Sequence, residues 1–204
     1  MEEFAERSDL EFNKIYNSPE YISVNGVISP TPKQIEAHYW YSLKDPFCTI
    51  KAHYGADLST SIHPSFFPSK EIKPTQLSTC SWNLLNLPTL PASLFNCIPQ
   101  VISGCTIPWL YISHPHSTFC WHTEDHSLFS INYMHSGATK QWYTCSSDQS
   151  DKFRRMCLDI GVECGDMCTI ISPADCQEHG IEISMIDQNQ GIHYPTKKIL
   201  IFPR

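Results

Sequence analysis

Four runs dense in β-branched and aromatic residues follow one another between positions 107 and 144: IPWLYI, STFCWH, LFSINYMH and TKQWYT. Such side chains pack well on a pleated surface, so each run predicts a strand. Ser136-Gly137 separates the last two runs and is a hairpin-type pair, which predicts that LFSINYMH and TKQWYT pair antiparallel. Further on, Phe153, Met156, Cys157 and Ile160 recur at helical spacing with Gly161 as a stop, predicting an amphipathic helix. Residues 181–187 and 196–202 read as further strands separated by a polar loop. The expected fold class is mainly β with flanking helices, a largely antiparallel sandwich or jelly roll with its core strands in 105–204. With 41% hydrophobic and 12% aromatic residues among 204, the chain can fill one real core.

The first part of the chain is less regular. Residues 1–30 carry few periodic signals and predict an irregular N-terminal arm, with SPEYISV as an edge strand. Thr31-Pro32-Lys33-Gln34 then supplies an N-cap, a proline at the first helical position and a glutamine three residues on. That pattern predicts a helix over 32–43 and opens a domain running over 31–204. Residues 61–79 are proline-rich and aperiodic, a surface connection. Pro88 and Pro91 leave room for one short helix in WNLLNLPTLPASLF. No apolar run approaches the ~18 residues of a membrane span, and the acidic start lacks the apolar stretch of a secretory signal. The sequence therefore predicts an intracellular protein without a membrane partner. Fourteen Lys+Arg against 21 Asp+Glu give a net charge of −7, which disfavours nucleic-acid capture by bulk charge and favours a basic partner. The 10 cysteines then read as reduced thiols. The pair Cys164 and Cys168 lacks the second pair that a zinc site would need.

His122-x-Glu124 is the first pattern that could carry chemistry, because residues two apart on a strand share a face and can offer an imidazole and a carboxylate to one metal. One such spacing is expected by chance, and a strand histidine is more often a surface or core residue. The same parity continues, however. Ser130 and Asn132 fall on one face of the next strand, and Lys140 and Trp142 on one face of the one after. A metal-binding face could thus meet a polar face and a lysine. A strand lysine is usually solvated; its alternative is to hold an anion's carboxylate by charge-assisted hydrogen bonds. Trp109 and Tyr111 are ordinary core or rim aromatics, or a surface for a methylated ammonium.

The run IPWLYISHPHSTFCWHTEDHSLFSINYMHSGATKQWY resembles the centre of the JmjC (Jumonji C) histone lysine demethylases. YGADL at Tyr54–Leu58, SWNLLNLPTLPASLF, ISPADCQEHGI and the closing IFPR resemble further elements of that family in order, over about residues 30 to 204. The WNL segment, the CWHTEDH form and the FPR ending are most similar to the JARID branch, which acts on methylated lysine-4 of histone H3. The resemblance implies a double-stranded β-helix (a cupin-like jelly roll) and iron(II), 2-oxoglutarate and O2 chemistry that demethylates lysine with release of formaldehyde. It assigns His122 and Glu124 to the metal, and Lys140 to the far carboxylate of 2-oxoglutarate with Tyr54 as hydroxyl partner. Asn132, Phe119 and Trp142 become cofactor-pocket residues, and Trp109 and Tyr111 line the substrate channel.

The family's third iron ligand is a histidine shortly after the FPR strand. This sequence reaches Arg204 without it, so the resemblance implies a domain incomplete at its C-terminal end. His179 and His193 are the histidines that follow the hairpin, and His193 lies out of register as a substitute. Two other readings stay open: a non-catalytic JmjC scaffold in chromatin regulation, and a JmjC protein hydroxylase. Nuclear localisation, the histone H3 tail as partner and possible chromatin-complex subunits follow from the resemblance alone.

Overall fold

The computed structural model describes residues 2–26, 30–163, 170–196 and 200–203. Cys164 and Cys168 lie outside the described residues. The chain divides into two compact units, one made of Met1–Ala52 with His114–Arg204 and the other of His53–Ser113.

In the first unit, residues expected to form an irregular arm are helical instead: α1 spans Glu2–Tyr16 and α2 spans Pro19–Asn25. SPEYISV is therefore a helix and not an edge strand. The Ser18 side chain accepts from the Tyr21 amide with Pro19 in the first turn, and Gly26 closes the helix in the left-handed region at φ 66°. Ser18-Pro19 is thus the same capping device as Thr31-Pro32. In α1 the inward side chains Phe4, Phe12, Ile15 and Tyr16 recur at helical spacing between exposed polar and charged residues. Tyr16 is fully buried, edge-on to Tyr21 at 5.1 Å and to His38 at 5.3 Å. Its hydroxyl hydrogen-bonds to His116 Nε2. The helix expected from Pro32 is present as α3, Pro32–Lys44, with both bonds of its capping box made.

Seven strands are described: β1 Tyr54–Ser59, β2 Trp109–Ser113, β3 Ser130–Tyr133, β4 Lys140–Cys145, β5 Ile183–Gln188, β6 His193–Thr196 and β7 Leu200–Pro203. They form the sheets β1-β2, β3-β6 and β5-β4-β7, so none closes into a barrel among the described residues. The expected hairpin between β3 and β4 is not made. β3 pairs antiparallel with β6, and Met134 extends that ladder by donating to Ile192 O and accepting from Gly191 N. With that edge of β3 occupied, residues 134–139 turn a corner between two sheets, and β4 pairs with β5 and β7. STFCWH is also not a strand. His114 and Ser117 fold a turn at its start, and only His122 reaches a bridge position. Conversely, the polar loop expected after β5 contains β6.

The core of this unit lies under α5, Ser150–Asp159, and α6, Pro173–Glu178. Phe153, Met156 and Cys157 of α5 pack with Trp121, Tyr143, Ile171, Cys176 and Ile181. Ile160, expected on the same stripe, falls just past the helix end and is 43% exposed. Three helices within the first 44 residues give helix a larger share than a mainly β class implies.

The second unit is built on β1 and β2, which pair antiparallel from Tyr54↔Ser113 to Ser59↔Trp109. The connection over 61–79 is irregular until α4, Gln76–Thr79. WNLLNLPTLPASLF forms two single 3-10 turns, Leu87–Thr89 and Leu94–Cys97, in place of one short helix. Buried Asn83 and Asn86 tie this region together by donating to carbonyls of Pro68, Ser78 and Cys80.

Candidate active site

Lys140 begins β4 and is buried at 7% exposure. Its ammonium donates to Asn132 Oδ1 on β3 at 3.3 Å and lies 5.6 Å from the centre of the Trp142 ring. Both partners are neutral, and no carboxylate lies within ion-pair range of Lys140 among the described residues. Burial penalises the charged form and pushes the amine down to about 8.

Trp142 shares the Lys140 face of β4, two residues on, and is 1% exposed. Phe119 and Tyr194 pack on it, Tyr194 at 4.6 Å between ring centres. Its indole N–H donates to Gln188 Oε1 at 2.9 Å, while Gln188 Nε2 donates to Asn132 O at 3.1 Å and Ile192 O at 2.8 Å. One fully buried amide thus ties the end of β5 to β3, β4 and the turn before β6. Sequence reasoning passed over Gln188 because it opens the polar stretch QNQ; the signal was a glutamine two residues beyond the apolar Ile186 of a strand.

His122 and Glu124 lie on the irregular segment before β3. Trp121 anchors that segment in the core, its indole donating to Ile171 O at 3.0 Å. His122 Nδ1 lies 2.7 Å from Cys120 O. A carbonyl can only accept, so Nδ1 donates to it, which leaves Nε2 as the ring nitrogen that can offer a lone pair to a metal. That is the arrangement of a metal-ligating imidazole fixed by an outer hydrogen bond. Glu124 Oε1 accepts from the Ser130 hydroxyl at 2.5 Å. Ser130 precedes Asn132 on the same face of β3, so the carboxylate is tied to the strand that carries the Lys140 partner. Both side chains are half-buried, with Thr123 exposed between them. His126 and Ser127 follow in the left-handed region at φ 54° and 55°, strained for side chains with a Cβ.

The donor set fits two positions of an iron(II) site, one nitrogen and one carboxylate. Among the described residues no three His, Cys, Asp or Glu side chains gather as a metal site. His193 does not join the pair; it packs on Tyr133 at 4.5 Å. His179 Nδ1 donates to Asp175 O at the end of α6.

Tyr54, Trp109 and Tyr111 are brought together in the second unit. Tyr54 stacks on Tyr111 at 6.2 Å and 19°, and Trp109 meets Tyr111 edge-on at 6.4 Å. Tyr111 donates to Asp57 Oδ1 at 2.7 Å. Burial, reinforced by the Asp57 charge, holds the Tyr54 phenol above its ordinary value and keeps it a neutral donor. Trp109 lies against Gly104, where a Cβ would come within 2.8 Å of the indole; only glycine allows this approach.

The JmjC family (JmjC domain, hydroxylase) matches residues 109–192, the span that holds His122, Glu124, Asn132, Lys140 and Trp142. Lysine-specific demethylase rbr-2 of Caenorhabditis briggsae is 33% identical over 201 residues, covering 91% of this chain and 13% of its own length. Putative lysine-specific demethylase JMJ16 of Arabidopsis thaliana is 34% identical over 189 residues, 86% of this chain and 15% of its length. The human lysine-specific demethylase 5D is 28% identical over 218 residues, 100% of this chain and 13% of its length. The chain therefore spans about a seventh of the curated relatives it matches. On the family match and on these relatives, the chain belongs to the JmjC domain family.

Proposed function

We propose that this chain is the core of an iron(II)- and 2-oxoglutarate-dependent oxygenase that demethylates methyl-lysine on the histone H3 tail, of the lysine-4 class. One observation carries the reading: Lys140 keeps a buried amine against neutral Asn132 and Trp142. An uncompensated buried cation is costly, and a dicarboxylate ligand would supply the missing anion.

In this reading His122 Nε2 and Glu124 hold the metal, with Cys120 O and the Ser130 hydroxyl fixing their orientation. Lys140 pairs with the far carboxylate of 2-oxoglutarate, and Asn132 keeps the ammonium aimed. Trp142 and Phe119 exclude water from that end, which strengthens the ion pair. Tyr54, kept protonated by burial, is the second donor by analogy with the family, and Trp109 and Tyr111 serve the methyl-lysine. When bound, the iron, O2 and 2-oxoglutarate supply the oxidation of an N-methyl group, with succinate, CO2 and formaldehyde as products. The net charge of −7 favours approach of a basic tail. Nuclear residence and chromatin-complex partners accompany this reading through the family resemblance alone.

The direct test is release of formaldehyde and succinate from a trimethyl-lysine-4 H3 peptide by the natural polypeptide that carries this sequence. Turnover should require iron(II) and vanish in His122→Ala; iron-independent turnover would refute the assignment. A scaffold role is favoured by the exposed apolar side chains of the 61–102 region, with Ile72 88%, Ile62 81% and Leu94 80% exposed. It predicts partner binding indifferent to iron and 2-oxoglutarate. A hydroxylase would add one oxygen to its substrate without formaldehyde.

A further inference from the structure

Within the first unit a cleft of about 360 Å³ lies between α3 and the start of α6, lined by Glu36, Trp40, Tyr41, Lys44, Pro173 and Ala174. Glu36, Trp40 and Lys44 recur every four residues and form one stripe of α3. A single phenol fixes two of the cleft's groups: the Tyr143 hydroxyl donates to Glu36 Oε1, and the Trp40 indole N–H donates to the Tyr143 oxygen at 3.4 Å. Tyr143 is itself 1% exposed, so this relay is anchored in the core. Lys44 is engaged at the rim with Asp175, 3.2 Å away, which neutralises both. The charge left over is the Glu36 carboxylate, whose second oxygen has no hydrogen-bond partner among the described residues. It stands beside an indole and the 73%-exposed phenol of Tyr41.

Aromatic faces are negative and attract cations, most of all cations that hold their water weakly. A carboxylate at the same cleft repels anions and would be desolvated without compensation by a neutral apolar ligand. The size is that of a ligand pocket, with room for a bulky ammonium head and an alkyl stem along Pro173 and Ala174. From this charge complementarity we propose that the cleft binds the trimethylammonium head of a lysine side chain in a basic peptide. It is a second recognition site made of Glu36, Trp40 and Tyr41, and it does not depend on the oxygenase reading or on Lys140.

The test follows the Trp40 indole resonance in nitrogen–proton spectra, assigned by Trp40→Phe, so that it reports this cleft alone. The probe is Nα-acetyl-trimethyl-lysine methylamide, compared with its neutral tert-butyl isostere. The proposal expects a saturable shift with the cation, weakened about fivefold or more for the isostere and for Glu36→Gln. Glu36→Gln keeps an acceptor for Tyr143, and Tyr41→Ala, at an exposed position, is the second variant that should weaken binding without threatening the fold. Lys44→Met, which removes the neighbouring positive charge, should tighten it. Lys140→Met should leave the shift unchanged while losing 2-oxoglutarate binding, which separates this site from the proposed catalytic one. Equal binding of the neutral isostere, no effect of Glu36→Gln or Tyr41→Ala, or no shift at all would overturn the proposal.

Discussion

Lys140 stands on a strand paired on both edges, under a fully buried tryptophan and beside a glutamine that makes three hydrogen bonds. Glu124 stands on a segment without strand pairing, and the five residues after it, 125–129, are all exposed. The two parts of the candidate site, the proposed anion end at Lys140 and the proposed metal end at His122 and Glu124, are therefore built by opposite means. The anion end is fixed by packing and by an amide whose partners come from several strands. The metal end depends on one anchoring indole, Trp121, one backbone carbonyl for His122 and one hydroxyl for Glu124. The difference teaches where the fold spends stability to prepare a ligand and where it leaves the ligand to complete the order. Substitutions at the anion end should be felt by the fold, and substitutions at the metal end mainly by the chemistry.

The largest effect should come from Trp142→Ala, which empties the space over Gln188 and Lys140. We expect a loss of about 3–5 kcal/mol in chemical denaturation. A loss near zero would show that the anion end is no better packed than the metal end.

Next is Lys140→Met. Removing the ammonium should weaken 2-oxoglutarate binding by about 100-fold or more in calorimetric titration, on the scale of a lost buried charge pair. The same variant should be more stable without ligand. The folded amine sits at about 8 against an ordinary 10.5, so the unfolded state holds more protons between those values. Stability of the parent chain should therefore rise with pH across that window, with the penalty fully present below pH 8. Lys140→Met should gain up to about 3 kcal/mol at pH 7 and nothing near pH 10.5. Destabilisation at pH 7 would mean that the amine already has its compensating anion.

A comparable effect concerns the acid side. Burial, with neighbouring His38 adding to it, holds the His116 imidazole down to about 4 against an ordinary 6.5. The unfolded imidazole takes up a proton that the buried one refuses, so stability should fall as pH drops from 6.5 toward 4. His116→Phe should flatten that limb in thermal melts across the window; an unchanged slope would place the acid sensitivity elsewhere. Smallest in stability is Glu124→Gln, which retains an acceptor for Ser130 and should stay within about 0.5 kcal/mol of the parent chain. Its turnover with iron(II) should nevertheless be lost. A large destabilisation there would erase the contrast between the two ends.

The parity of Asn132, Lys140 and Trp142 was legible in the sequence because a strand alternates its faces whatever it pairs with. The pairing was not. The turn at Ser136-Gly137 is a local signal, while the partner that captures β3 is β6, some 60 residues on and inside a segment that reads as loop. Local capping marked α3 and spacing marked α5, since both signals lie within one or two helical turns. The Ser18-Pro19 cap of α2 and the helical spacing of Phe4, Phe12, Ile15 and Tyr16 in α1 were equally visible, whereas the contacts of Tyr16 and Tyr21 with His38 and His116 are tertiary and leave no local sign. Gln188 was illegible for a related reason: its role exists only once β3, β4 and the turn before β6 converge on it. His122 and Glu124 were visible as a pattern, yet their setting was misjudged, for the turn held by His114 and Ser117 takes the place of a strand.

The most direct test of the account is the affinity of the metal-free protein for 2-oxoglutarate as a function of pH between 6.5 and 9.5. If the buried Lys140 ammonium is the anchor, affinity should be level below pH 8 and fall by up to about tenfold per unit above it, as the amine loses its proton. A level profile through pH 9.5, or a profile that Lys140→Met reproduces, would contradict it.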